Sequence, residues 1–156
     1  MRNLRLMDSP QTIEVVLTYK IDRNDPVFST EKVSAEKKDN YYQLTGVPVF
    51  AKNLAYGDIV AVELEDDEYH FSRIIKESGH SVVHIVLFQE HSNIISELKQ
   101  CGCKVNSSIA PLYLVVDIPS LANYHRIKAL LQKRHAEGIL DYGESCLSEL
   151  HTVSES

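Results

Sequence analysis

VPVFAKNLAYGDIVAVELEDDEYHFSRIIKESGHSVV, residues 47–83, holds a proline turn, a Tyr56-Gly57-Asp58 corner, three expected strands and a Ser78-Gly79-His80-Ser81 turn. Glycine and proline punctuate secondary structure because glycine tolerates positive φ and proline fixes its own φ. Between the corners, residues 59–64, 69–75 and 82–88 are apolar and β-branched, and they read as an antiparallel meander. The connections are Glu65-Asp66-Asp67-Glu68 and residues 76–81.

Upstream, Ile13, Val15, Leu17 and Tyr19 alternate with Glu14, Thr18 and Lys20, the two-residue period of a half-buried strand. Arg23-Asn24-Asp25-Pro26 is a turn, and residues 31–37 and 41–44 are two further strands around Lys37-Lys38-Asp39-Asn40. Short strands at this spacing point to a barrel-like, antiparallel β-rich half. Downstream the period changes. Ile94, Ile95, Leu98 and Cys101 fall at helical spacing, with Ser92 as N-cap and Gly102 as the residue after the cap. Strands follow at 103–106 and 112–117. Ser120 opens a second helix with the stripe Leu121, Tyr124, Ile127, Leu130 and Leu131, and after Gly138 a last strand covers 139–147. The order β-α-β-β-α-β is that of a ferredoxin-like unit.

The expected fold is therefore α+β, in four parts: an N-terminal extension (1–10), a β-rich subdomain (11–81), a ferredoxin-like subdomain (82–148) and a polar, frayed tail (149–156). The strand at 82–88 is expected to be shared between the two halves.

The chain has 156 residues, 44% hydrophobic and 24% charged, with a net charge of −6 and a pI near 5.6. That acidity argues against a nucleic-acid or anionic-membrane partner, since both favour a basic face. The opening MRNLRLMDSP lacks an apolar h-region, and the longest apolar run is interrupted by His84, too short for the ~20 residues of a membrane span. The three cysteines imply no disulfide framework. The expected compartment is the cytoplasm.

Cys101-Gly102-Cys103 lacks the second ligand pair of a structural zinc site, so both thiols are read as core residues flanking a helix cap; no metal or cofactor is expected. His80 is the one candidate for acid–base chemistry. Arg73 and Asp58 are candidate companions in a phosphate-binding or catalytic site, weighed against a purely backbone-bonding role for these turn residues. Glu63, Glu65, Asp66, Asp67 and Glu68 put five carboxylates in six residues. They read either as a solvated hairpin tip that deters edge pairing or as a surface that steers a basic partner. His125, Arg126, Lys128, Lys133, Arg134 and His135 read as the polar face of the second helix. Of Tyr41 and Tyr42, one ring points inward, and an outward Tyr42 is a candidate interface anchor. Nucleotide-binding, α/β-hydrolase and zincin motifs are absent.

Pro48-Val49-Phe50-Ala51, Asn53-Leu54, Gly57-Asp58-Ile59-Val60 and Ser78-Gly79-His80-Ser81 resemble the bacterial family called domain of unknown function 4265. So do residues 98–103 and Asp117-Ile118-Pro119. The resemblance spans roughly residues 13–142. It departs before Pro48, where Gly46-Val47 stands in place of the family's asparagine and Val49 replaces an aromatic residue. The family brings no established activity; it implies a small cytoplasmic bacterial protein. Small bacterial proteins of this kind are frequently immunity partners of secreted toxins, an association by class. The expected function is thus an immunity protein that occludes a cognate, basic toxin. Its contact residues are Glu63, Glu65, Asp66, Asp67, Glu68 and Tyr42, with a small-ligand module or enzyme built on His80, Arg73 and Asp58 as the alternative.

Overall fold

The computed structural model describes residues 9–90 and 92–152. The chain divides into two compact units between Ser78 and Gly79. Each has its own buried apolar cluster, and the whole is a mixed α+β protein of mostly antiparallel sheet with few helices.

The first unit carries β1 (Thr12–Tyr19), β2 (Ser29–Lys38), β3 (Tyr41–Leu44), β4 (Ile59–Glu65) and β5 (Glu68–Lys76). Each strand pairs antiparallel with the next, and β5 returns to pair β1 in parallel, which closes the five strands on themselves. The alternation read in β1 sends Val15 and Leu17 inward, where Val33, Ala35, Leu44 and Val60 meet them. Full burial of such side chains stabilises by roughly 1.5–3 kcal/mol each. Asp66 and Asp67, at φ 50° and 66°, form a two-residue turn between Glu65 and Glu68. Positive φ at both central residues matches the twist of the flanking strands. The loop after β3 is held from across the unit. The Glu31 carboxylate accepts three successive backbone N–H groups, from Val49 (2.9 Å), Phe50 (2.8 Å) and Ala51 (2.7 Å). Phe50 is thereby stacked on Tyr19 while remaining 47% exposed.

The second unit carries β6 (Ser81–Leu87), α1 (Ser92–Gln100), β7 (Lys104–Ala110), β8 (Tyr113–Ile118), α2 (Tyr124–Ala136), β9 (Leu140–Cys146) and α3 (Glu149–Thr152). The sheet order is β7-β8-β6-β9 with every pair antiparallel. Val83, Ile85 and Leu87 of β6 pack with Ile94 and Leu98 of α1 and Ile127 and Leu131 of α2. Gly102, at φ +90°, ends α1 as expected, and the Cys103 N–H reaches back to the Leu98 carbonyl at 3.1 Å. Arg134 of α2 binds both Glu97 of α1 and Glu137.

Four expectations are corrected. The second helix begins at Tyr124, not Ser120, because Asn123 supplies the cap: its side chain accepts the Arg126 N–H at 3.1 Å. Leu121 therefore lies outside the apolar stripe and is 96% exposed. Among the described residues β6 pairs with β8 and β9 alone, so it belongs to the second sheet and is not shared. The expected frayed tail contains α3, whose His151 is buried; residues 153–156 and residues 1–8 of the expected N-terminal extension lie outside the described residues.

Candidate functional site

The second unit gathers an unusual amount of polar chemistry around the start of β6. Gly79 has φ +92°, and a Cβ there would stand 2.8 Å from Leu150 Cδ1 and 3.0 Å from Ser120 Cβ, so only glycine fits. The turn it permits delivers His80 and Ser81 to opposite duties. His80 Nδ1 donates to Asp117 Oδ1 at 2.8 Å, and Asp117 is 2% exposed. A carboxylate has no proton to give, which fixes the imidazole proton on Nδ1. Ser81 Oγ lies 2.6 Å from His151 Nδ1, His151 Nε2 lies 3.0 Å from the Pro119 carbonyl, and Ser81 Oγ accepts the Ser148 N–H at 2.8 Å. The Pro119 carbonyl can only accept, so Nε2 carries the proton and Nδ1 accepts the serine hydroxyl. A serine aimed at an imidazole is the geometry of an activated nucleophile, but Ser81 is 0% exposed and no substrate can reach it. The arrangement fastens α3 to the sheet.

Beside it, α2 and α3 border a cleft of about 520 Å³. Tyr124 OH and Lys128 Nζ (3.1 Å) both donate to Glu144. Burial and the adjacent Glu144 carboxylate push the Tyr124 phenol far above its usual range, so it remains a donor at all physiological pH.

Asp58 and Arg73 lie in the first unit. Asp58 is 3% exposed and serves its own corner: Oδ2 accepts the Ala55 N–H at 3.0 Å and Oδ1 the Ser78 N–H at 2.9 Å. Ser78 Oγ donates to the Tyr56 carbonyl at 2.6 Å. Arg73 is exposed on β5. Asp117, which holds His80, escaped the sequence reading as a site residue. The signal was present: a single carboxylate interrupts the otherwise apolar run Leu114-Val115-Val116-Asp117-Ile118, and such a residue, once buried, must have a partner.

The β4–β5 hairpin exposes Glu63, Glu65, Asp66 and Asp67, while Glu68 is half-buried and pairs with Lys32 at 3.0 Å. Tyr42 corrects an expectation. It is 5% exposed, packs in the core and donates its OH to the Pro10 carbonyl at 2.7 Å, so it offers no surface to a partner. Burial also pushes the Cys103 thiol up to about 12, leaving it an inert core residue. Among the described residues no three His, Cys, Asp or Glu side chains converge as a metal site, and no helix is long and apolar enough to cross a membrane.

A crystal structure of a hypothetical protein from Neisseria gonorrhoeae is similar, at 27% identity and a TM-score of 0.78, covering 90% of this chain and 98% of that one. No curated protein matches the chain. Residues 31–142 match the family model described as domain of unknown function (DUF4265). That match takes in the Glu31-held loop, the acidic hairpin and the His80–Asp117 pair, and it places this chain in the DUF4265 family.

Proposed function

We propose that this is a small cytoplasmic binding protein whose acidic β4–β5 hairpin engages a basic partner, and that the partner is an antibacterial toxin whose active site it covers as an immunity protein. One observation carries the reading. The Asp66-Asp67 turn fixes a tip on which, among the described residues, only Glu68 of the five carboxylates has an ion-pair partner. Leu64, 56% exposed, lies among them and supplies apolar contact area. Uncompensated charge on a rigid element raises the rate of encounter with a cationic surface and rejects anionic ones. Three free cysteines suit a reducing compartment.

The architecture suits a binding role. The closed first sheet supports a small-barrel reading, and the β-α-β-β-α-β order with strands arranged β7-β8-β6-β9 supports a ferredoxin-like reading of the second unit. The test is affinity capture from the native host at low and at raised salt. A basic protein retained at low salt and released as salt rises is expected; failure to retain any stable protein partner contradicts the reading.

A further inference from the structure

Below the acidic tip, β1 and β5 are in register at only two positions, Val15 with Tyr69 and Val16 with His70. Beside that short seam lies a groove of about 320 Å³, lined from β1, β2 and the start of β5. Its lining sorts by exposure. Ile13, Val16 and Tyr69 are buried or half-buried and form the floor, whereas Glu14 and Asp67 are exposed at the rim with Glu68 beside them. The lining therefore sets three carboxylates against one ammonium, Lys32.

Lys32 already shows what this rim attracts. Its Nζ stands 3.0 Å from Glu68 Oε2. Glu68 holds it charged above the ordinary lysine range, and Glu14 adds a smaller push in the same direction. With Lys32 matched to Glu68, Glu14 and Asp67 have no ion-pair partner among the described residues. A ligand suited to this groove has an apolar stem for Ile13 and Val16, a flat cationic end for the Tyr69 ring, and paired donors for a carboxylate. An arginine side chain meets all three demands; the lysine ammonium, on a comparable stem, is more strongly hydrated, lacks the planar fork and stacks less well.

We infer that this groove receives an arginine side chain from a basic segment of the protein partner, its stem on Ile13 and Val16 and its guanidinium against the Tyr69 ring between Glu14 and Asp67. The inference deepens the proposed function and rests on its claim that the hairpin meets a basic partner. It adds a specific residue type and a specific seat.

The test uses hexa-arginine and hexa-lysine peptides titrated into the full chain, followed by amide chemical shifts and affinity. Hexa-arginine is expected to move the amides of Ile13, Glu14, Asp67 and Tyr69 most and to bind more tightly than hexa-lysine. Glu14 is exposed, so Glu14→Gln should fold normally and weaken hexa-arginine about fivefold, the upper range for a partly exposed ion pair. The tip pair Glu63→Gln/Glu65→Gln, outside the groove lining, should weaken it less than Glu14→Gln. If shifts instead concentrate at residues 63–66 and Glu14→Gln has no larger effect than the tip pair, the groove assignment is overturned while the hairpin reading stands. Equal affinity for the two peptides overturns the choice of arginine. No binding of either peptide removes both readings.

Discussion

His80 and Asp117 form a hydrogen-bonded pair at 2.8 Å in which the carboxylate is almost wholly buried and the imidazole is one-fifth exposed. Asp117 sits on β8 opposite Val82, so it can meet His80 only because β6 and β8 pair in this register. The register and the pair are therefore one structural fact. Asp117→Ala removes the acceptor that holds the His80 N–H, and the expected loss is about 1–3 kcal/mol of unfolding free energy. Asp117→Asn keeps an acceptor and should lose less. Urea denaturation of both variants measures this; an Asp117→Ala protein as stable as the parent would show that the pair contributes nothing.

The Ser81–His151 contact makes a separable prediction. His151→Phe keeps a ring against Tyr124, whose centroid lies 5.5 Å away, but abandons Ser81 and the Pro119 carbonyl. Stability should fall by about 1–3 kcal/mol. Hydrogen exchange should show α3 opening independently of the sheet. Unchanged exchange at Leu150 and His151 would mean that α3 is held by other contacts.

The loop at Val49–Ala51 depends on Glu31. Glu31→Ala leaves three N–H groups without their acceptor and should cost about 2–3 kcal/mol, the scale of charge-assisted hydrogen bonds. Glu31→Gln, with one carbonyl in place of two carboxylate oxygens, should fall between. Thermal denaturation ranks the three proteins, and any other order contradicts this role for the carboxylate.

Cys103 sets an alkaline limit. A thiol ordinarily ionises near 9.0, and burial raises that of Cys103 to about 12. The folded protein thus holds this proton more tightly than the unfolded chain. Its contribution to stability is complete below pH 9 and declines as pH rises from 9 toward 12. Cys103→Ala should flatten that decline. Alkylation at pH 8 should spare Cys103 until the chain unfolds; rapid modification of the folded protein would refute its burial.

Much of the fold is legible in the sequence because local chemistry and tertiary context agree there. The alternation of Ile13 to Tyr19, the Gly102 cap and the acidic hairpin all stand where their residues put them. Three failures share a cause, since each depends on a contact between residues distant in sequence. Tyr42 has the same alternation whether it faces in or out; its OH bond to Pro10, 32 residues away, belongs to the inward choice. Glu149–Thr152 reads as a polar tail because the partners that anchor His151 are Ser81 and Pro119. Asp117 is separated from His80 by 37 residues. The cap at Asn123 was missed for a local reason: Ser120 after Pro119 offers the same start signal three residues earlier, and the Ala122 N–H closes a turn onto the Pro119 carbonyl instead.

The most direct test of the central claim compares two proteins in one capture experiment from the native host: the parent chain, and a chain carrying Glu63→Gln, Glu65→Gln, Asp66→Asn and Asp67→Asn. These four side chains are exposed, so the variant should match the parent in thermal stability. The expected result is a basic protein retained by the parent and lost from the variant. Equal retention of the same partner by both chains would contradict a binding role for the acidic hairpin.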